Sequence, residues 1–441
     1  MKFFVGSATV YYEFIAMRKR FFFQSGTIFL FLLCTFLKAQ EATETTFQGL
    51  NQALEIPLFQ DDNLWDDDEK EVAKRIGWPE ESRTDTIASY RLYAKSTISV
   101  LGTRPYSLAL YSERGLVQQL SFMFSNKGDL EEAKPEDGAR TGEKKREIDP
   151  KVVRILDAAI KKDAETILTR LTPLLGEPRN DSFGVGSQME QASRWNWKGH
   201  TILLAAPVKE YASIRILPTE VAENNGKVSK IPDDELKTIL VSRVEKRENG
   251  DRVVQQIPMV DQGPKGYCVP ATVERQLRYL GIPCDLYLLA MKGGTIMGGG
   301  TSVGGMMESI RSLCSIYGRS IQSPAAEMNS KVIGKYIDKG LPFLWTCFVD
   351  RNHDRRVSER SKERQGVTDW AAWKEKIEEN RKKELPQKEI NTGHMRMIIG
   401  YNAETKEVAI SDSWGEDYKE RWMTYEEAAA MSQGEFTIIQ W

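Results

Sequence analysis

The sequence predicts an α+β protein built in two unlike parts. Three observations carry that reading. From Thr86 onward, apolar and polar residues alternate through TIASYRLYAKSTISVLG, YSLALYSE and LVQQLSFMFS, the pattern of antiparallel strands. Residues 151–176, KVVRILDAAIKKDAETILTRLTPLLG, instead place apolar side chains three and four apart and end on a glycine before a proline, as an amphipathic helix does. Beyond Val253 both patterns return, arranged around a glycine-rich turn, DQGPKGYC, that leads into Cys268.

With 441 residues the chain has room for two or three domains. Its hydrophobic share of 41% against 28% charged residues suits packed cores rather than disorder. The formal net charge of -2 supplies no general attraction to nucleic acid or anionic lipid, so no nucleic-acid partner is expected.

The N-terminus reads as a targeting segment. MRKR, Met17 to Arg20, precedes FFFQSGTIFLFLLCTFL and then KAQEATE, which makes residues 1–39 a secretory signal peptide with cleavage after Ala39. An uncleaved anchor is the alternative, because the apolar run reaches the lower length limit for crossing a bilayer. Gln24 and Ser25 interrupt that run and favour cleavage, after which no stable membrane span is expected and the protein is secreted or held in the cell envelope. Met17 is a candidate start. Cys34, in FLLCTF, lacks the small residue that lipid attachment wants before its cysteine.

Residues 40–85 read as a linker. Their acidic run DDNLWDDDEKE is a solvated stretch or a helix start, since it lacks the alternation and the glycine of a calcium loop. Residues 86–220 form a small α+β domain of unknown role: the three strands above, a charged loop from Lys127 to Glu147, the helix, and two strands in ASRWNWKGHTILLAAP and YASIRILP. His200, at a strand start there, is read as structural or exposed. Residues 221–250, with most of the polar stretch TEVAENNGKVSKIPDDE, form a second linker. No internal repeat appears.

The second domain, residues 251–441, holds the chemistry. Signal cleavage would leave Cys268, Cys284, Cys314 and Cys347, without zinc spacing and too sparse to staple so long a chain. No metal or other cofactor is called for. Cys284, Cys314 and Cys347 lie in apolar contexts and read as core residues, with a Cys284–Cys314 bridge left open. Cys268 differs. VPATVERQLRYLG after it has helical spacing, so Cys268 sits at a helix N-terminus, where the dipole and free N–H groups favour a thiolate. Gln262, six residues upstream, can donate an amide N–H to a developing oxyanion, and Gly263 and Gly266 permit the tight turn between them.

A thiol nucleophile needs a base, and the chain has three histidines. His353, in DRNHDRRVSERSKER, reads as exposed. His394, in NTGHMRMIIGYN, opens a strand. A turn at Asn402 to Thr405 and a second strand, KEVAISDSWGE, form a hairpin that returns Asp412 beside His394.

This set of residues resembles the papain-like cysteine peptidases. In that family a glutamine six residues before the nucleophilic cysteine forms the oxyanion hole, the cysteine opens a long helix, and the histidine follows more than a hundred residues later. The family's orienting residue lies in Asn-Ser-Trp-Gly, and here Asp412-Ser413-Trp414-Gly415 stands in its place. Gly266-Tyr267-Cys268-Val269 lacks papain's upstream cysteine and following aromatic. GYCVPA with GHMRMIIGY and an aspartate is closer to the bacterial double-glycine leader peptidase branch. The resemblance covers residues 253–441 and implies a helical half facing an antiparallel-sheet half. It implies catalytic roles for Cys268, His394, Asp412 and Gln262, with Trp414 shielding the His394–Asp412 hydrogen bond. A peptide or protein is the implied partner. No ATP-binding cassette sequence follows, so the branch's transporter-linked role is not expected.

Two segments flank this set. In MKGGTIMGGGTSVGGMMESI, Gly298, Gly299 and Gly300 either expose backbone to pair with an extended substrate or form a plain loop before a helix capped by Thr301 or Ser302. Between LPFLWTCFV and His394 lies a charged stretch, including DWAAWKEKIEENRKKELPQKE, read as a solvated insertion rather than a lid. RWMTYEEAAAMSQGEFTIIQW reads as strand, helix and strand. Peptide hydrolysis is the expected reaction. Acyl transfer or cross-linking through the same thioester, and a catalytically silent peptide-binding module, are the alternatives.

Overall fold

The acidic run after Asp61 ends at a helix cap. In the computed structural model, which describes residues 45–441 except 95–96, 129–148, 264–265, 298–299, 382–384 and 388–391, the chain starts with α1 (Phe47–Leu54), α2 (Glu69–Ile76) and β1 (Glu80–Arg83). The signal-peptide segment lies outside the described residues. Thr46 caps α1, and Asp68 caps α2 by accepting from the N–H groups of Lys70 and Glu71. Residues 40–85, expected as a linker, are therefore structured from Thr46 on. Leu50, Leu54, Leu58, Phe59 and Leu64 sit among the acids and are buried in the first core.

The alternating segments build the first sheet. β2 (Ile87–Tyr93), β3 (Ser107–Glu113) and β4 (Leu116–Asn126) precede α3 (Pro150–Leu175). β5 (Arg179–Phe183), β6 (Glu190–Trp197), β7 (His200–Ala205) and β8 (Tyr211–Pro218) follow it. The sheet is antiparallel, in the order β1-β2-β3-β4-β8-β7-β6-β5. ASRWNWKGHTILLAAP is two strands rather than one, because Lys198 and Gly199 adopt φ of 45° and 77°, the left-handed pair of a two-residue hairpin turn. β1 and β5, EESR and RNDSF, are polar edge strands with no apolar alternation to betray them.

Both faces of this sheet are covered. On one, Leu156, Ile160, Ile167 and Leu171 of α3 pack with Leu108, Leu110, Leu120, Phe122, Ile214 and Ile216. On the other, Tyr106, Met123, Leu203, Tyr211 and Leu217 pack with Val260, Tyr267, Ala271, Leu286 and Tyr287 from the second part. This second layer is rich in hydroxyls with partners: Ser107 and Tyr287 hydroxyls are 2.7 Å apart, and Tyr267 donates to Asn126 Oδ1 at 2.9 Å. Residues Thr46–Trp441 form one unit. The expected linker at 221–250 carries the end of α4 (Thr219–Glu223), then α5 (Asp233–Ser242) and β9 (Val244–Lys246).

The second part continues with β10 (Arg252–Val254), α6 (Cys268–Tyr279), α7 (Leu286–Lys292), α8 (Val303–Ile316), β11 (Ser320–Gln322) and α9 (Ser330–Ile337). Then come β12 (Phe343–Phe348), α10 (Arg351–Gln365), α11 (Trp370–Asn380), β13 (Gly393–Asn402), β14 (Glu407–Ser411), β15 (Arg421–Thr424), α12 (Tyr425–Met431) and β16 (Ser432–Gln440). Its strands run β11-β16-β12-β13-β10-β9, with β14 between β13 and β15. The protein is thus α+β, as expected, and the β13–β14 hairpin, the Ser302 cap of α8 and the β15–α12–β16 ending agree with the sequence reading.

α6 lies between the two sheets. Ala271 faces the first, while Cys268, Val269, Val273 and Leu277 share a core with Met395, Met397 and Ile398 of the second. Every α6 residue except Arg278 is buried, including Glu274 and Arg275.

The charged insertion is solvated only in part: α11 buries only Trp373 and Ile377, whereas α10 is set more deeply. α10 buries His353, Asp354, Val357, Ser361 and Arg364 against the sheet. Its buried charges are paired, while Arg351, Arg355, Arg356, Glu359, Lys362 and Glu363 stay exposed. Arg364 grips Asp251 with both terminal nitrogens at 2.8 and 2.7 Å and Glu407 at 3.1 Å, and Arg360 pairs with Glu427. His353, expected to be exposed, is 1% exposed, with Nε2 3.0 Å from Glu427 Oε1.

Candidate active site

Cys268 is the first residue of α6, directly below the N-terminus that its helical spacing implied. Its neighbour across the interface is β13. There the register pairs Cys347 of β12 with His394, so a histidine at the strand's beginning stands over the helix end. Cys268 is 7% exposed and His394 8%, so both are buried with only a small part of each at the surface.

The imidazole is held from both sides. Its Nε2 lies 2.8 Å from Asp412 Oδ1, which leaves Nδ1 for the thiol. Trp414 stacks on the ring at 4.6 Å and 23°. Burial works against charge on the Cys268 sulfur. A hydrogen bond and the charge of His394, with the backbone N–H groups of Met395 and Val269, outweigh it and hold the thiol below its ordinary range. Burial likewise opposes imidazolium, yet hydrogen bonds to Asp412 and Cys268 raise His394 above its ordinary value. The other thiols go the opposite way: burial pushes Cys314 and Cys347 up to about 12 and Cys284 well above its usual range. All four are free.

Gln262 is fixed by the residue that follows Asp412. Its backbone N–H donates to the Ser413 carbonyl at 2.9 Å, and the Ser413 hydroxyl donates to Gln262 Oε1 at 2.9 Å. With its oxygen occupied, the side-chain amide keeps its N–H donors for another acceptor. The first sheet anchors the same loop. The Asp261 N–H donates to Glu81 Oε1 at 2.8 Å, the Tyr93 hydroxyl donates to the Asp261 carbonyl at 2.6 Å, and the Met259 N–H donates to Ser82 Oγ at 2.8 Å. Gly263 has φ 70°, and a Cβ there would meet the Tyr93 ring at 2.8 Å, so this turn admits glycine alone.

Sequence reasoning missed what surrounds Asp412. Oδ1 also accepts from Arg396 Nε at 2.8 Å, and Oδ2 accepts from Arg421 Nη2 at 2.5 Å. Burial raises the carboxyl, but Arg396, the His394 hydrogen bond and Arg421 outweigh it and hold it far below the carboxylate range. The signal was present: Arg396 is two residues from His394 and so shares its face of the strand. A charged residue at an inward strand position requires a buried partner. Of the proposed substrate loop, Gly298 and Gly299 lie outside the described residues, and Gly300 accepts the Ile296 N–H at 3.3 Å. Among the described residues no group of histidine, cysteine and carboxylate side chains is arranged to hold a metal ion, and no helix is long and apolar enough to cross a membrane.

Residues 254–439 match the Peptidase_C39 like family. The C39-like region therefore starts at the end of β10 and runs nearly to the last residue, as the sequence resemblance had it. Among solved structures, the peptidase domain of Streptococcus ComA, a bi-functional ABC transporter involved in a quorum-sensing pathway, is 15% identical. It covers 41% of this chain and 96% of its own, with a TM-score of 0.27. No curated protein matches the chain. Residues 46–253, with the first sheet, lie outside the C39-like region.

Proposed function

We propose that the protein is a cysteine-type peptidase that cleaves peptide bonds through Cys268, His394 and Asp412, with Gln262 in the oxyanion hole. The observation that carries this reading is the opposed pair: a thiol lowered at a helix N-terminus against an imidazole raised by a buried carboxylate. Together they favour thiolate and imidazolium at the same pH.

The Cys268 sulfur attacks the substrate carbonyl carbon, and the carbonyl oxygen becomes an oxyanion. The Gln262 amide and the backbone N–H of Cys268 donate to it. As the C–N bond breaks, His394 gives its proton to the departing amine and a thioester remains. Neutral His394 then takes a proton from water, whose oxygen displaces the Cys268 sulfur and regenerates the pair. Asp412 holds the tautomer, and Trp414 covers its hydrogen bond to the ring. The substrate is a peptide or protein met outside the cytoplasm, a location supported by the basic and apolar N-terminal sequence.

The test is cleavage of a diverse peptide library by purified protein beside Cys268→Ala. Turnover in the first and none in the second is expected. Equal cleavage by both, or none by either, overturns the reading. Gln262→Ala should lower kcat by about 10²–10³, with a stability loss of no more than about 1–3 kcal/mol from the Ser413 hydroxyl left without its acceptor.

A further inference from the structure

Behind the His394–Asp412 pair lies a second carboxylate, joined to it through two arginines. Asp354, on α10, pairs through Oδ1 with Arg396 Nη2 and through Oδ2 with Arg421 Nη1 at 2.9 Å. The same two guanidiniums hold Asp412. Two arginines and two aspartates thus alternate in a closed set reaching from the insertion to the imidazole. Arg396 and Asp412 are wholly buried, and Arg421 and Asp354 nearly so, at 3% and 12% exposure. α10 grips Arg421 a second time, through Ser358 Oγ at 2.7 Å.

We propose that Asp354 is a positioning residue for the catalytic histidine, matching the charge of Arg396 and Arg421 so that Asp412 stays free to support imidazolium. This rests on the peptidase reading for the role of His394. The physical reason is charge balance in a buried place. Asp412 alone faces two cations from β13 and β15, and a third, Arg275 of α6, is within electrostatic reach while bonded to Ser411 Oγ at 2.5 Å. Glu416 and Glu81 act on Arg275, and the Cys347 thiol of β12 faces the group from its remaining side. Were Asp412 the sole anion for Arg396 and Arg421, their charge would exceed its own, and a proton on His394 would add to the excess. Asp354 removes it. Through α10 the insertion therefore acts on the reaction from behind the His394–Asp412 pair.

The experiment reads His394 directly. The chain has three histidines, so 13C-histidine NMR of the full protein resolves each ring, with His394 assigned by the signal lost in His394→Gln. Asp354→Asn leaves one positive charge uncompensated and should lower the His394 titration midpoint by about one pH unit. Arg421→Met leaves one negative charge and should raise it by a similar amount. The double variant restores the balance and should return the midpoint close to the parent's. Should one single variant not fold, the other still decides, since each must move the midpoint in its own direction. An unmoved midpoint in a folded single variant overturns the proposal, as does a double variant displaced as far as either single one. The basic limb of kcat/KM should follow the midpoint, with KM unchanged. NMR needs no turnover. Displaced midpoints in a protein that cleaves nothing would keep this inference and sink the peptidase reading, and cleavage with unmoved midpoints would do the reverse.

Discussion

Asp412 shows how much a single residue's surroundings change its meaning. By resemblance, asparagine in its place would be a mild substitution, since an amide oxygen still accepts from the His394 ring. In this protein the carboxylate also neutralises Arg396 and Arg421. Asp412→Asn should therefore cost stability by about 3–5 kcal/mol, the usual consequence of leaving a buried charge without its partner. Urea unfolding measures it, and a loss below about 1 kcal/mol would show the arginines to be satisfied without it. The same pairing sets the response to acid. The folded pKa of Asp412 is depressed, so its contribution is fully present above the ordinary carboxylate range and is lost progressively as pH falls from there through that much lower value. The thiols make a second test. Iodoacetamide at mildly acidic pH should label Cys268 before Cys284, Cys314 or Cys347, whose pKa values burial raises. Peptide mapping that finds another thiol modified first would remove Cys268 as nucleophile. The four proposed catalytic residues stood out in the sequence because a cysteine and one of three histidines lie at telling spacings from Gln262 and Asp412. Arg421 and Asp354 did not, because only three-dimensional pairing shows them buried, whereas Arg396 could have been found from its place two residues after His394 on the same strand face.

The α10 helix extends the lesson from side chain to element. DRNHDRRVSERSKER carries charge on all sides, and averaged over its length it reads as soluble surface. Burial instead follows partners: Arg364 meets Asp251 and Glu407, and its guanidinium lies 3.7 Å from the Trp422 ring centroid. These acids belong to segments distant in sequence, so no local pattern could announce the match. Arg364→Met keeps the volume and removes the charge, leaving Asp251 and Glu407 buried without it. It should destabilise by about 3–5 kcal/mol, with Asp251→Asn in the same background recovering part of the loss in a double-mutant cycle. Simple additivity would show that the pairing contributes nothing. Where apolar periodicity governs, the reading succeeded: α3 and the β13–β14 hairpin lie where the pattern put them. It failed at β1 and β5, whose place at the sheet's edges asks for no apolar alternation.

For the whole molecule the decisive feature is the layer of contacts between the first sheet and α6 and α7. The sequence divides into two stretches of different texture, and linkers between them were the natural expectation. Surfaces that bury each other look, in sequence, like surfaces that bury anything else, so Tyr106, Tyr211, Tyr267 and Tyr287 gave no sign of meeting. Cutting the chain to residues 244–441 would bare that layer and release the Asp261 loop from Glu81 and Tyr93. The fragment should aggregate or melt well below the full protein, and co-expression with residues 46–226 should recover soluble material. A soluble, fully active fragment would show the first sheet to be dispensable. The position of α6 between two sheets also bears on timing. A helix that packs on two surfaces can dock fully only after both exist, and the second includes β16, far from α6 in sequence. A half-made or clipped polypeptide then has the sulfur without the setting that ionises it. Reactivity would then arise only once both sheets are in place.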